Sequence, residues 1–377
     1  MIPVNEPLLT GDELKNVTDC IRTGWISSAG KYINDFESRW SAYCGKKYGI
    51  AVSNGTTALD VAVHCLGIRP GDEVIMPAFT IISCALAIVN NKGTPVLVDS
   101  DPKIWTMDIE KIAEKITPKT KAIMPVHIYG HPVNMDPILE LAEDYNLAII
   151  EDAAEAHGAE YHSNHCGCDS WRRCGSFGTF SCFSFYANKL VTTGEGGMVL
   201  TDDETLAQKA RSYRDLCFQS PRRFYHSHLG NNFRLTNIQA ALGVAQMARM
   251  DAIIEKKRWM AHEYTRRLCG VREIQIPVEE PWAKSVYWMY ALVLSDTCRM
   301  DNIEIARCLS EKGIETRPFF IGMHEQPALQ KRGFFKNEKY PVAERIARKG
   351  FYLPSGLTIT EKQIDLVSSA VREVLGA

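Results

Sequence analysis

FSFYANK at residues 183–189 runs directly into LVTTGEGG at residues 190–197, so an apolar, strand-like run ends in a lysine and opens into a glycine-rich turn. Desolvating a lysine ammonium is costly unless the side chain is paired, changes its pKa or is used covalently. A lysine in this place can form a Schiff base with an aldehyde, most often that of pyridoxal phosphate. The alternative is a strand-end lysine whose ammonium extends into water.

The overall composition narrows the class of protein. The 377 residues suggest two or three domains, and 45% of them are hydrophobic, which is enough for a sizeable core. A net charge of -2 gives no electrostatic reason to expect nucleic acid or an anionic membrane as a partner. The opening MIPVNEP lacks the features of a signal peptide, and no apolar run approaches the length of about 18 residues that spans a bilayer. Twelve scattered cysteines indicate reduced thiols, so we expect a cytoplasmic protein.

Short apolar runs alternate with helical patterns over about residues 48 to 215. We predict strands at residues 48–52, 73–77, 95–98, 122–126 and 147–151. Such runs, separated by helices, indicate buried parallel strands and an α/β architecture. Helical patterns follow at residues 203–214 and 236–268.

A second region begins near Gly270, with a predicted strand at residues 288–294 and helices near residues 301–312 and 360–375. The sequence therefore predicts a large α/β domain at residues 1–269, with a mostly parallel sheet between helices. A smaller C-terminal α+β domain is predicted at residues 270–377.

Asp152 lies in EDAAEAHG at residues 151–158, at the end of a predicted strand. The carboxyl end of a parallel strand is where open α/β sheets bind ligands. A carboxylate facing a pyridine nitrogen would keep that nitrogen protonated and make the ring an electron sink. The alternative is an aspartate that caps a helix.

A possible phosphate site follows the first predicted strand, in SNGTTAL at residues 53–59. Backbone N–H groups at a helix N-terminus, with hydroxyls beside them, suit a phosphate. An ordinary capped helix start would have the same composition. The segment matches neither the G-x-x-x-x-G-K-[ST] nucleotide loop nor the dinucleotide G-x-G-x-x-G pattern.

These three segments, in this order, resemble the fold type I pyridoxal phosphate enzymes, and among them the DegT/StrS-type sugar-nucleotide aminotransferases. The resemblance covers nearly the whole chain, since further segments are similar to that family in order. They include GWISS at residues 24–28, MPVHIYG at residues 124–130, NFRLTNIQAA at residues 232–241 and RP at residues 317–318.

The resemblance implies a role for each matched position. Lys189 would form the Schiff base with pyridoxal 5'-phosphate and shuttle protons, with pyridoxamine 5'-phosphate as the aminated form of the cofactor. Asp152 would pair with the pyridinium nitrogen. The remaining cofactor contacts would be Gly55, Thr56, Thr57 and Ser184 at the phosphate, Ala154 on the ring face, and Glu155 near the ring hydroxyl, where many relatives have Gln. Asn232 resembles a residue that relatives contribute to the phosphate of the neighbouring subunit, which implies a homodimer with shared active sites.

Two departures from the family pattern stand out. Relatives usually have an aromatic residue stacked on the cofactor at the position of Ile81, where an aliphatic side chain, or nearby Phe79, would have to cover the ring. Residues 161–174 are longer than the corresponding hairpin and carry donors that suit zinc: His162, His165, Cys166, Cys168 and Cys174. Their spacing fits no standard zinc pattern, so we predict a solvated loop and no metal.

The family resemblance also implies a substrate. The segments around residues 23–30, 288–290 and 314–320 are most similar to enzymes that aminate C4 of GDP-4-keto-6-deoxy-D-mannose to GDP-perosamine, with L-glutamate as the amino donor. Trp25, Tyr287, Arg317 and His324 are the candidate substrate residues, and their alternative roles are aromatic packing or surface charge.

Several other functions share these motifs. Relatives acting on UDP-linked 4-keto-6-deoxy sugars and 3-keto-sugar aminotransferases are the nearest alternatives. Related sugar dehydratases carry His in place of Lys189, and a non-catalytic regulatory homologue would be expected to lack Lys189 or Asp152. An amino-acid aminotransferase would need paired carboxylate-binding arginines, which the sequence does not single out.

Overall fold

The computed structural model describes residues 1–167 and 169–376. Its helices are α1 (Glu13–Thr23), α2 (Lys31–Tyr43), α3 (Gly55–Cys65), α4 (Ser83–Asn90), α5 (Asp136–Asp144), α6 (Glu204–Arg214), α7 (Asn237–Met247), α8 (Met250–Leu268), α9 (Asn302–Glu311), α10 (Pro327–Gln330), α11 (Pro341–Lys349) and α12 (Glu361–Leu375). Its strands are β1 (Tyr48–Val52), β2 (Glu73–Pro77), β3 (Thr94–Val98), β4 (Thr120–Ile123), β5 (Ala148–Asp152), β6 (Glu160–Ser163), β7 (Ser170–Arg173), β8 (Phe180–Ser184), β9 (Gly197–Thr201), β10 (Ile274–Gln275), β11 (Ala283–Lys284), β12 (Tyr290–Leu294), β13 (Arg317–Pro318) and β14 (Gly350–Leu353). Among the described residues, no helix combines the length and the apolar character needed to cross a bilayer.

The large sheet has seven strands in the order β1-β9-β8-β5-β4-β2-β3. Strands β3, β2, β4, β5 and β8 pair in parallel. Strand β9 is antiparallel to both of its neighbours, β8 and β1, so β1 points the same way as the parallel strands. The predicted α/β fold with a mostly parallel sheet is therefore confirmed.

The sheet lies between two apolar layers, because successive side chains of a strand point to opposite faces. Val74 and Met76 of β2 belong to the core that contains α3 and α4. Ile75, between them, belongs to a separate core with α5 residues such as Ile138 and Ala142. A strand buried on both faces reads as a continuous apolar run, which is why its pattern was recognisable in the sequence.

The C-terminal region contains an antiparallel sheet in the order β10-β12-β14-β13. Its core joins Leu292 of β12 and Phe351 of β14 to Ile305 of α9 and Val367 of α12. Helix α8, which precedes residue 270, also contributes Tyr264 to this core. The chain start reaches it too, since Ile2 pairs with Ile314. The domain division at residues 269 and 270 stays a prediction.

Several elements differ from the sequence-based expectation. Strand β9 was not predicted, although its sequence GMVLT is short and apolar. The strand expected from residue 288 begins only at Tyr290, because the backbone bends at residues 288–289, directly after Tyr287 with its φ of 45°. The helical region at residues 236–268 is two helices. Strands β6 and β7 pair with each other, and β6 also pairs with β11.

One buried carboxylate ties α2 to the first strand of the sheet. Glu37 is 5% exposed and accepts hydrogen bonds from the Ala51 backbone N–H at 2.9 Å, Arg211 at 2.6 Å and Arg214 at 2.5 Å. The two backbones approach so closely that a Cβ at Gly49 would lie 2.5 Å from the Glu37 carbonyl oxygen. The Glu37 network therefore fixes α2 on the edge of the large sheet.

We expect Glu37→Ala to lower the free energy of unfolding by about 3 kcal/mol, because it leaves a buried N–H and two arginines without their acceptor. Urea denaturation followed by circular dichroism measures this change. Asp35→Ala is the matched control, because Asp35 pairs with Arg39 on the same helix but is exposed, and its loss should cost less than about 1 kcal/mol. Equal effects of the two substitutions would contradict the assigned role of Glu37.

Candidate active site

The carboxyl ends of β1, β2, β5 and β8 lie at one edge of the large sheet, the edge at which open α/β sheets bind ligands. A cavity of about 440 Å³ opens there. Its lining includes Gly55, Thr56, Thr80, Ile81, Ser83, Asp152, Ala154, Glu155, Ser184, Lys189, Glu195, Trp288, Phe320 and Tyr352. The last three come from the C-terminal region, so both parts of the chain build the cavity.

The N-terminal turn of α3 forms one wall of this cavity. The Asn54 side chain caps the helix by accepting the Thr57 N–H at 2.8 Å, and the Thr57 hydroxyl in turn accepts the Asn54 N–H at 3.1 Å. A Cβ at Gly55 would lie 2.7 Å from the Cβ of Ser184, so glycine allows the helix start to approach the end of β8. Thr56 is exposed and lies 2.8 Å from the Ser83 hydroxyl. Thr57 does not line the cavity, because its hydroxyl serves the cap.

Lys189 lies on the turn after β8, with its side chain only 10% exposed. Its Nζ is 3.6 Å from Oε1 of Glu155 and 3.7 Å from the centre of the Trp288 ring. Gly194, in the following turn, has a φ of 80°, which favours glycine. The predicted glycine-rich turn beside the lysine is therefore present.

Glu155 and Lys189 form a buried pair of titratable groups. Oε2 of Glu155 accepts the Tyr129 N–H at 2.7 Å, which fixes the carboxyl group. Burial raises the pKa of Glu155 to about 7 and lowers the pKa of Lys189, while their mutual attraction opposes both shifts. Burial thus favours a neutral amine and a neutral carboxyl group, the state in which the amine is a nucleophile.

Asp152 ends β5 and is 2% exposed. Its Oδ1 accepts the Ala154 N–H at 3.0 Å, and its Oδ2 lies 3.2 Å from the Cys84 thiol. Burial raises the pKa of Asp152 and also raises the pKa of Cys84 well above its usual range, so the thiol keeps its proton and donates it. Cys84 was missed in the sequence, where nothing distinguishes it from the other cysteines.

Ile81 occupies the position at which relatives usually have an aromatic residue. Ile81 lines the cavity and is 39% exposed, so it is available to cover a ring bound there. Phe79 is 1% exposed, packs against Tyr129 and Phe319, and does not itself line the cavity. The structure therefore brings Ile81, and not Phe79, to the cavity.

The remaining predicted residues lie outside this cavity in the single chain. Arg317 lines an adjacent groove of about 370 Å³ that shares Tyr186, Asn188 and Tyr352 with the cavity. Tyr287 lines a separate cavity on α8. The others are His324, which is buried with its Nε2 3.1 Å from Glu344, and the exposed residues Trp25 and Asn232.

The donor-type side chains in residues 161–174 that the structure describes have different partners. His162 lies 3.1 Å from Asp169, and His165 lies 2.9 Å from Glu143. Cys174 is buried beside the large sheet. The Cys166 side chain and the whole of Cys168 lie outside the described residues. The described donor atoms of His162, His165 and Cys174 do not converge on one point.

A buried group of His127, Glu151 and Cys174 is the one set of metal-type donors that converges in the described part of the chain. Hydrogen bonds account for its geometry. Glu151 accepts from His127, the Ser181 hydroxyl and the backbone N–H groups of Gly175, Phe177 and Gly178. His127 Nδ1 accepts the Val133 N–H, so Nε2 carries the proton given to Glu151. This network stiffens the strand end that carries Asp152.

The donors around the cavity fit pyridoxal phosphate. They combine a buried amine that can bind an aldehyde, a buried carboxylate at a strand end, and a glycine-opened helix N-terminus that suits a phosphate. Ser184 and Thr56 add hydroxyl groups to the same wall.

Comparison with known proteins agrees with this geometry. The chain is 41% identical to the GDP-perosamine synthase of Caulobacter vibrioides over 375 residues, which cover 99% of this chain and 98% of that one. It is 40% identical to the GDP-perosamine synthase of Escherichia coli O157:H7, again over 99% of this chain and 98% of the other. The X-ray structure of S. venezuelae DesV superposes with a TM-score of 0.88 at 34% identity, covering 97% of this chain and 95% of that chain.

The family profile described as DegT/DnrJ/EryC1/StrS aminotransferase matches residues 7–372. The resemblance inferred from the sequence, the fold type I architecture and the cofactor are therefore confirmed. The chain belongs to the DegT/DnrJ/EryC1/StrS family and is a pyridoxal phosphate-dependent sugar-nucleotide aminotransferase.

Proposed function

We propose that the protein transfers the amino group of L-glutamate to C4 of GDP-4-keto-6-deoxy-D-mannose, forming GDP-perosamine. The observation that carries this proposal is the identity of 41% and 40% to two GDP-perosamine synthases over almost the full length of each chain. The cavity supports it by combining the chemical groups that such a transfer requires.

When bound, pyridoxal phosphate carries the amino group from donor to acceptor and withdraws electrons from the reacting carbon. Lys189 would hold its aldehyde and Asp152 its ring nitrogen. Gly55, Thr56 and Ser184 would hold its phosphate at the α3 N-terminus.

Lys189 is the proposed proton carrier. As a neutral amine, its Nζ takes a proton from the α-carbon of the donor and later delivers a proton to C4 of the sugar. Burial supports this role because it lowers the pKa of Lys189. Glu155, 3.6 Å away, is placed to exchange a proton with the amine.

Asp152 is the proposed partner of the ring nitrogen. Its Oδ1 is fixed by the Ala154 N–H and its Oδ2 by the Cys84 thiol, so the carboxylate has one orientation. A fixed negative charge favours the protonated nitrogen without further rearrangement.

Arg317 is the proposed contact for the substrate diphosphate, which a guanidinium can bind bidentately. The groove it lines joins the cavity at Tyr186, Asn188 and Tyr352. Arg317 is paired with Glu315 at 2.8 Å, so a diphosphate would have to displace or share that contact. Trp25, Tyr287 and His324 line neither the cavity nor this groove in the single chain.

A homodimer with shared sites is part of the proposal. Asn232 is exposed in the single chain, and the same loop exposes the apolar residues Phe224 (83%) and Leu229 (91%). In the proposed dimer, the neighbouring subunit would cover these two side chains. Asn232 would then contact the phosphate of the neighbouring subunit.

The substrate is tested by incubating purified protein with pyridoxal phosphate, L-glutamate and either GDP-4-keto-6-deoxymannose or a UDP-4-keto-6-deoxy sugar, with product masses read out. We expect amination of the GDP sugar. Preference for the UDP sugar would be consistent with the proposed reaction but would contradict the proposed substrate. If neither sugar nucleotide is aminated although the cofactor is bound, the result would favour a 3-keto sugar as the substrate or dehydration as the reaction.

Lys189→Ala should abolish turnover and remove the covalent attachment of the cofactor, because no other group replaces the amine. Borohydride reduction followed by peptide mass mapping locates the attached cofactor. Lys256→Ala is the matched control, because Lys256 also lies 3.7 Å from a tryptophan ring centre but on α8, outside the cavity. A fully active Lys189→Ala variant would contradict the assignment of Lys189 as the residue that binds the cofactor.

Asp152→Asn should leave the fold intact but lower kcat by on the order of a hundredfold, because the ring nitrogen loses its charged partner. Steady-state kinetics and thermal unfolding measure the two effects. Asp203→Asn is the control, since Asp203 caps α6 and asparagine caps equally well. Turnover of Asp152→Asn near the wild-type rate would refute the role.

A further inference from the structure

The backbone carbonyl of Asn188, the residue before Lys189, is held by two distant side chains. Trp288 Nε1 donates to it at 2.8 Å, and Asn5 Nδ2 donates to it at 2.6 Å. The Lys189 N–H donates to the Tyr186 carbonyl at 2.9 Å. Since the Asn188 carbonyl and the Lys189 nitrogen share one rigid peptide plane, fixing the carbonyl also fixes the start of the Lys189 main chain.

Trp288 contacts the other end of Lys189 as well. Its ring centre is 3.7 Å from the Lys189 Nζ, close enough for a cation–π interaction when the amine is protonated. Trp288 is 3% exposed and lines the cavity. One side chain therefore positions both the peptide before Lys189 and its reactive nitrogen.

Trp288 is itself anchored from behind. Its carbonyl accepts a hydrogen bond from Lys257 Nζ at 2.6 Å, and the same amine donates to the Ser355 carbonyl at 2.5 Å. Lys257 is 3% exposed, so these bonds are shielded from water. The indole also lies nearly parallel to the Tyr129 ring, at 15°. Trp288 is thus a fixed point from which Lys189 can be positioned.

Asn5 belongs to a chain start that is bound to the C-terminal region. Ile2 N–H donates to the Gly313 carbonyl at 2.7 Å, and Val4 N–H donates to Glu315 Oε2 at 3.0 Å. Asn5 is half-buried at the end of this segment. Its amide therefore reaches the Asn188 carbonyl from a backbone that is already ordered.

We propose that Trp288 and Asn5 are positioning residues for Lys189, which act together by holding the Asn188 carbonyl from two sides. This inference rests on the proposed function of Lys189. Neither residue needs to touch substrate for this effect, because both act on the peptide that carries the lysine. The two donors share one acceptor, so their effects should be coupled.

The test uses the full chain freed of cofactor, to which pyridoxal phosphate is added. Absorbance follows the rate of covalent capture, and borohydride reduction with peptide mapping identifies the lysine. Trp288→Phe keeps a ring but removes the N–H, and Asn5→Ala removes the second donor. We expect each to slow capture about fivefold, the change typical of one hydrogen bond, and to lower kcat with an unchanged KM for the sugar nucleotide.

Matched controls exist on the same chain. Trp259→Phe alters a tryptophan that also lies under a lysine, Lys256, at 3.7 Å, and Asn16→Ala removes an amide that donates to the Ala241 carbonyl at 3.2 Å. Neither Trp259 nor Asn16 lines the cavity. Both controls should capture the cofactor at the wild-type rate.

This inference would be overturned if Trp288→Phe and Asn5→Ala captured the cofactor at the wild-type rate and had the wild-type kcat. If peptide mapping still found the cofactor on Lys189, the proposed function would stand. A label on another lysine of the unaltered chain would overturn the role of Lys189 itself. Thermal unfolding is recorded for each variant. If Trp288→Phe unfolds early because Trp288 is buried, the half-buried Asn5 alone decides the outcome.

Discussion

The structure depends on keeping the Lys189 amine out of water next to a carboxyl group. The side chain is 10% exposed and lies between Glu155 and the Trp288 ring. Removing both charges from water favours the neutral pair, and this is the condition that makes a lysine amine a nucleophile. A solvated lysine at the same sequence position would remain an ammonium ion.

The parallel sheet explains how the other groups reach this amine. Strands β5 and β8 are adjacent and parallel, so Asp152 and Ser184 end at the same edge. Strand β1 points the same way across the reversed β9, which brings the start of α3 to that edge. The contacts to Glu151 behind Asp152 make this edge rigid. A rigid edge matters because small displacements of catalytic groups lower the rate steeply.

Much of this could be predicted from the sequence, because buried parallel strands leave continuous apolar runs and functional residues follow them directly. Residues 48–52 and 73–77 are strands as expected, and the cavity brings Lys189, Asp152 and Glu155 together. Contacts between distant segments left no such pattern. The Cys84 thiol reaches Asp152 from 68 residues away in the sequence. The Trp288 ring contacts Lys189 from a different region of the chain. Both contacts depend on tertiary packing.

Asn232 is exposed in the single chain, as its proposed contact with a second chain requires. The family resemblance placed Tyr287 near the substrate, but its φ of 45° turns the backbone there, and its side chain lines a different cavity. Local backbone geometry of this kind has no periodic signal in the sequence.

The most direct test of the roles of Lys189 and Asp152 is a crystal structure of the protein grown with pyridoxal phosphate. We expect electron density continuous from Lys189 Nζ to the cofactor, the ring nitrogen within hydrogen-bond distance of Asp152, and the phosphate at the N-terminus of α3. Cofactor bound elsewhere, or a ring nitrogen facing solvent with Asp152 unengaged, would contradict these roles.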